Sequence, residues 1–215
     1  MRRLFASILG DASLALHEHL LRSVPAGISG NAVIDEANAL FRERCRGLPE
    51  GNKILFNISG LPASGKTYYA RQMAAAHADF FHLAFDDIME SLSFYKDEAR
   101  RNREEAFRRW EIPARVIGYD WLEECLKRGL ALVFEHGNTV PRHVAMYRMS
   151  RHTYGYTVHI HYIESGPETV KPRLARRERY FPLSEIDRRW ALGQRLRPAY
   201  EAVADVFEVV TGWQG

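Results

Sequence analysis

Two spacings of apolar residues divide the chain. Over the first fifty positions they recur at helical intervals, with Leu4, Ile8, Leu14, Leu16, Leu20 and Leu21 ahead of a Pro25-Ala26-Gly27-Ile28-Ser29-Gly30 break and Ala32, Ile34, Ala37 and Phe41 behind it. Gly47-Leu48-Pro49-Glu50-Gly51 closes this region. From Lys53 onward, short apolar runs alternate with longer mixed stretches. The runs predict strands over residues 53–59, 80–85, 130–134, 156–163 and 206–210. The stretches predict helices over 66–77, 97–128, 168–179 and 184–204, with another opening at Asp86-Asp87. Strands that alternate with helices are joined by crossovers, which favour parallel pairing and helices on both faces. The expected fold is therefore α/β, a mostly parallel five-stranded sheet in residues 51–215 preceded by a helical extension over residues 1–50. Pro141, Pro182 and Pro198 fall at plausible helix starts or loops, and Pro172 fits only if it lies in a first turn.

Composition narrows the field only a little. With 215 residues, one full domain and an appendage fit comfortably. A net charge of +3 does not announce a nucleic-acid or membrane binder. Met1-Arg2-Arg3-Leu4-Phe5 opens like a signal peptide, but Asp11, His17, Glu18 and His19 interrupt it, and no run is long and apolar enough for a bilayer. Cys45 and Cys125, far apart, do not make a disulfide framework. A cytoplasmic protein with no membrane contact is the expectation.

The chemistry concentrates where the predicted strands end. Gly60-Leu61-Pro62-Ala63-Ser64-Gly65-Lys66-Thr67 is a complete G-x-x-x-x-G-K-[ST] phosphate-binding loop, set between the first strand and a helix. Its glycines let consecutive amides curl around a polyphosphate, Lys66 reaches the outer phosphates, and the Thr67 hydroxyl serves Mg²⁺. Asp86 and Asp87 follow the second strand. One carboxylate there orients an attacking hydroxyl and takes its proton, the role given to Asp86, while Asp87 with Glu90 matches an N-cap pair. Glu135 ends the third strand, where it could bind substrate hydroxyls or a Mg²⁺-bound water, or simply cap a helix; Asn138 and Thr139 follow in a polar turn and join it as candidate substrate contacts. Arg173 and Arg177 share one helical face and could neutralise a transferring phosphoryl from a lid. Arg188 and Arg189, behind a Ser184-Glu185-Ile186-Asp187 capping box, are further candidates for the nucleotide. Arg100, Arg101, Arg103, Arg108 and Arg109 are interleaved with Glu98, Glu104 and Glu105, which suggests paired charges on a helix and makes nucleic acid the weaker expectation.

Taken in order, Ser59 to Thr67, Phe85-Asp86-Asp87-Ile88, Phe134-Glu135, Gly155-Tyr156-Thr157-Val158 and Arg173-x-x-x-Arg177 resemble the P-loop kinases of the zeta-toxin group, and are similar to the kinase domain of bacteriophage polynucleotide kinase. The resemblance spans residues 53 to about 210. It implies a kinase-type P-loop NTPase sandwich, ATP (GTP being the alternative) with Mg²⁺ as cofactors, Asp86 as the base that activates an acceptor hydroxyl, and Arg173 and Arg177 as lid arginines. It further implies a small-molecule acceptor, with a nucleotide sugar such as UDP-N-acetylglucosamine the first to consider, and a protein partner or antitoxin meeting residues 1–50. Met89, where these relatives usually carry arginine, and His136, which separates Glu135 from the polar turn, are departures that bear on the acceptor. The alternatives are a polynucleotide 5′-hydroxyl kinase and a non-catalytic nucleotide-binding regulator.

Overall fold

The computed structural model describes residues 16–176 and 181–211. They fall into two compact units, one made of the described residues up to Leu48 with Leu83–Cys125, the other of Pro49–His82 with the described part of Leu126–Gly215.

The first unit is helical: α1 Leu16–Ser23, α2 Gly30–Arg44, α4 Phe85–Ser91, α5 Ser93–Ala99 and most of α6 Arg103–Arg128. Helix α2 starts where the sequence turns polar, with the Ala32 amide donating to the Ser29 hydroxyl at 3.3 Å, and it buries Val33, Ala37 and Phe41, spaced four apart on one face. Phe41 packs on Trp121 of α6 at 5.4 Å between ring centroids, while Phe94 of α5 stacks on Trp110 at 6.0 Å. The single helix expected over 97–128 is two, α5 and α6, separated at residues 100–102. Three arginines expected to be paired are so: Arg100 with Asp97 at 3.0 Å, Arg108 with Glu104 at 2.5 Å and Arg109 with Glu98 at 3.3 Å.

The second unit holds β1 Ile54–Gly60, α3 Lys66–Ala76, β3 Leu132–Glu135, α7 Arg142–His152, β4 Thr157–Ile163, α8 Pro167–Ala175, α9 Glu185–Val203 and β5 Val206–Val210. With β2 Phe81–Ala84, the sheet runs β2-β3-β1-β4-β5. Strand β1 pairs in parallel with β3 and β4, and β4 in parallel with β5, so the mostly parallel five-stranded sheet is borne out. Side chains alternate across it: Ile58, Val133 and Ile163 pack with Ala70 and Phe80 on one face, while Leu55, Val158 and Ile160 are buried on the other.

Three local expectations need correction. The Ser184 capping box does not form, because Ser184 itself has helical dihedrals and its hydroxyl makes no cap bond. Pro198 lies inside α9 and Pro172 inside α8, beyond the first turn, where each gives up one helical hydrogen bond. Helix α7, absent from the predicted elements, fills the gap after β3.

Candidate functional site

The loop after β1 is built around a clash that only glycine avoids. A Cβ on Gly60 would lie 2.6 Å from the Ile163 carbonyl oxygen and 3.0 Å from Ser64 Oγ, and its φ of +139° is itself a glycine conformation. Ala63 takes φ +61°, a position that costs a non-glycine residue about 1 kcal/mol. The loop folds over itself through the Ser64 amide to Leu61 oxygen (3.2 Å) and from Lys66 Nζ to the same oxygen (2.7 Å). Gly65, at φ +99°, caps α3 without a side chain, and no acid stands in the first turn. The first amides of α3 and its positive end therefore suit an anion. Ser64 Oγ, fully buried, has no hydrogen-bond partner among the described residues.

The register Ile58↔Glu135 sets the end of β3 beside the end of β1. From there Glu135 Oε2 accepts the Thr67 hydroxyl at 2.8 Å, and Oε1 meets His82 Nε2 at 2.9 Å. Burial, the largest influence, pushes the Glu135 carboxyl up, but the His82 hydrogen bond and charge, the Thr67 hydroxyl and the Lys66 charge together hold it below the usual carboxylate range. An ionised carboxylate and a hydroxyl, both hard oxygens at the foot of the phosphate loop, are the donor set Mg²⁺ prefers. The residues present thus fit a nucleotide polyphosphate with Mg²⁺: loop amides and Lys66 to hold the phosphates, Thr67 and Glu135 to hold the metal, which when bound would neutralise phosphate charge. His82 was not singled out in the sequence. A histidine in an apolar run carries no signal until strand pairing is known.

Behind Glu135 the chain turns inward. The His136 amide donates to the Ile58 carbonyl at 3.0 Å. Asn138, at φ +50°, donates from Nδ2 to Asn57 Oδ1 (2.6 Å) and accepts at Oδ1 from the Tyr147 hydroxyl (2.8 Å), with His136 Nδ1 also 3.0 Å from Oδ1. Asn57 completes the network by donating to the Phe134 carbonyl at 3.1 Å. Asn138 is only 3% exposed, and its amide takes part in this buried network, which anchors the loop. Thr139 follows, half-buried. Asn57, the lone amide in a mostly apolar strand, was the available hint.

Helix α8 lies against the phosphate loop through a small core of Leu61 and Ala63 with Val170, Leu174 and Ile186, backed by Phe181 and Trp190. Arg173 is in the last turn of α8, half-buried. Arg177 lies outside the described residues. Arg189 sits over the Phe181 ring, 4.9 Å from its centroid. Asp86 belongs to the other unit, exposed in the first turn of α4, two residues past β2. Ala84 is the N-cap of that helix, so Asp87 is a first-turn acid and not the cap: β2 runs into α4 without the extra residues that a side-chain cap at 87 requires.

This strand, glycine-framed loop and helix, with a carboxylate on the neighbouring strand bonded to the loop threonine, define a P-loop phosphate-binding domain. The chain belongs to the family described as AAA domain, whose model matches residues 55–195. Among solved structures, a chain from the PezAT chromosomal toxin–antitoxin system of Streptococcus pneumoniae is similar in fold, with a TM-score of 0.68 at 12% identity over 86% of this chain and 79% of that one. A candidate kinase from Chloroflexus aurantiacus gives a TM-score of 0.50 at 19% identity over 74% of this chain and 85% of that one. No curated protein matches significantly. The P-loop kinase fold expected from the zeta-toxin resemblance is the fold found. No helix among the described residues is long and apolar enough to cross a membrane.

Proposed function

We propose that the protein is an ATP- and Mg²⁺-dependent phosphotransferase that moves the γ-phosphate to a hydroxyl of a small molecule. The observation that carries this reading is the 2.8 Å bond from Thr67 to Glu135, whose carboxyl is held below the usual range, at the foot of a glycine-framed loop. Phosphoryl transfer asks of a protein mainly position and charge. Loop amides and Lys66 supply the phosphate contacts, and Thr67 with Glu135 the metal contacts. Arg173 adds positive charge from α8, the helix packed on the loop. Asp86, by its place just after β2 and by the zeta-toxin resemblance, takes the acceptor's proton. That resemblance makes UDP-N-acetylglucosamine the first acceptor to test.

The experiment incubates the protein with labelled ATP, Mg²⁺ and that acceptor, then with a metabolite extract. Lys66→Ala and Asp86→Asn are both expected to abolish transfer, whereas only Lys66→Ala greatly weakens ATP binding. Full turnover by Asp86→Asn would remove Asp86 from the chemistry. A polynucleotide acceptor is disfavoured by the pairing of Arg100, Arg108 and Arg109 with acids. A protein partner at residues 1–50 is supported by the fold's likeness to a chain of a toxin–antitoxin system, and co-purification of this chain with and without those residues tests it: loss of the partner on truncation supports the site, retention rejects it.

A further inference from the structure

Helix α2 reaches α4 and α5 with polar side chains as well as apolar ones. Arg44, in its last turn, donates from Nη2 to Ser91 Oγ at 2.7 Å, and Ser91 in turn donates to the Asp87 carbonyl oxygen at 2.6 Å. The guanidinium carbon lies 5.3 Å from the centre of the Trp121 ring, the same indole that Phe41 packs on one turn earlier. Burial lowers the proton affinity of Arg44 while the negative charges of Asp87 and Glu43 raise it, so the Asp87 carboxylate also acts on the guanidinium. Two turns before Arg44, Glu36 accepts the Ser93 amide at 2.7 Å and the Ser93 hydroxyl at 3.0 Å. Glu36 thereby caps α5 from another helix, since its own N-cap, Leu92, offers no side-chain bond.

At its other end, α4 is held by shape. A Cβ on Gly118 of α6 would collide with the Phe85 ring, so the first residue of α4 occupies a notch that glycine leaves open. Helix α4 has seven residues, too few to be stable unaided. Its direction, and that of the Asp86 carboxylate in its first turn, depends on these two grips.

We infer that Arg44 is a positioning residue for Asp86, fixing α4 through Ser91 and Asp87, so that α2 belongs to the acceptor-activating apparatus. The inference rests on the role proposed for Asp86. A reactive carboxylate must be held to about half an ångström, and a seven-residue helix free at one end does not do this.

The test uses the full chain as wild type, Arg44→Ala, Arg44→Lys, Ser91→Ala and the Arg44→Ala/Ser91→Ala double variant. Amide hydrogen exchange over residues 85–93 should quicken about tenfold in Arg44→Ala, the equivalent of one charge-assisted hydrogen bond, while residues 60–67 keep the wild-type rate. The double variant should add little to the single one, because both break the same link. Lysine can still reach the Ser91 hydroxyl but loses the guanidinium placed over the Trp121 ring, so Arg44→Lys should recover most of the protection. With UDP-N-acetylglucosamine as the acceptor probe, kcat should fall about tenfold in Arg44→Ala with the ATP dissociation constant unchanged and be largely restored in Arg44→Lys. Wild-type exchange in α4 of Arg44→Ala, or equal loosening of α4 and residues 60–67, overturns the inference. A wild type that binds MgATP yet transfers nothing to the probe overturns the proposed acceptor, and the exchange measurement then decides the role of Arg44 alone.

Discussion

Replacing Glu135 by Gln keeps the shape of the side chain and removes its charge from between Thr67 and His82. Two bonds, at 2.8 and 2.9 Å, change from charge-assisted to neutral, a loss of roughly 0.5–2 kcal/mol each. Relief from burying a charge opposes this. The carboxyl is held below its usual range of about 4.5 despite burial, so the partners outweigh desolvation and neutralisation must destabilise. A net cost of about 1–2 kcal/mol corresponds to a Tm lower by about 2–8 °C for a chain of this size. The pH dependence fixes the sign independently. Because the folded carboxyl titrates lower than the unfolded one, its contribution is complete above the unfolded value and disappears as pH falls through the folded value. The gap between wild type and variant should therefore be present near neutral pH and close in strong acid. Metal binding should suffer more than stability: calorimetric titration with ATP, with and without Mg²⁺, should show the Mg²⁺-dependent gain in affinity reduced 10–100-fold in Glu135→Gln. An undiminished Mg²⁺ effect, or a variant more stable than wild type at pH 7, would refute the reasoning.

Other expectations follow from the same geometry. Gly60→Ala places a methyl 2.6 Å from the Ile163 carbonyl at a strained φ, and should cost about 1–3 kcal/mol in urea unfolding and abolish ATP binding; near-native values would mean the loop tolerates a side chain. Asn138→Ala leaves Asn57 Oδ1 and Tyr147 without their partner and should lower stability by about 2–4 kcal/mol, whereas a substrate-contacting Asn138 would change KM and leave stability alone. Lys66→Ala should weaken ATP binding about tenfold to a hundredfold, the worth of a charge-assisted phosphate contact, as read by calorimetric titration.

Much of this was legible because the signals are local. The phosphate loop announces itself by spacing alone, and the strands around it by apolar runs that a buried parallel sheet requires. Helix α7 was missed because its buried face carries His143 and Ser150 beside Met146 and Tyr147, which breaks the apolar period that would have revealed it. Asp87 looked like a cap because the motif fits, yet capping depends on where the backbone leaves the extended region, and here that is Ala84. The Glu135 partners were half legible. Thr67 lies in a motif, but His82 comes from another strand, and sheet order does not appear in local pattern. Asn138 reads as a substrate contact by its polarity, and local pattern gives no sign of its interior partners Asn57, His136 and Tyr147.

The most direct measurement is the fate of the terminal phosphate of labelled ATP, given Mg²⁺ and a hydroxyl-bearing acceptor pool, with product identified by mass. The account predicts label esterified to a small-molecule hydroxyl, lost in Lys66→Ala and in Asp86→Asn. Label found only as inorganic phosphate, or no binding of ATP or GTP with Mg²⁺ at all, would contradict it.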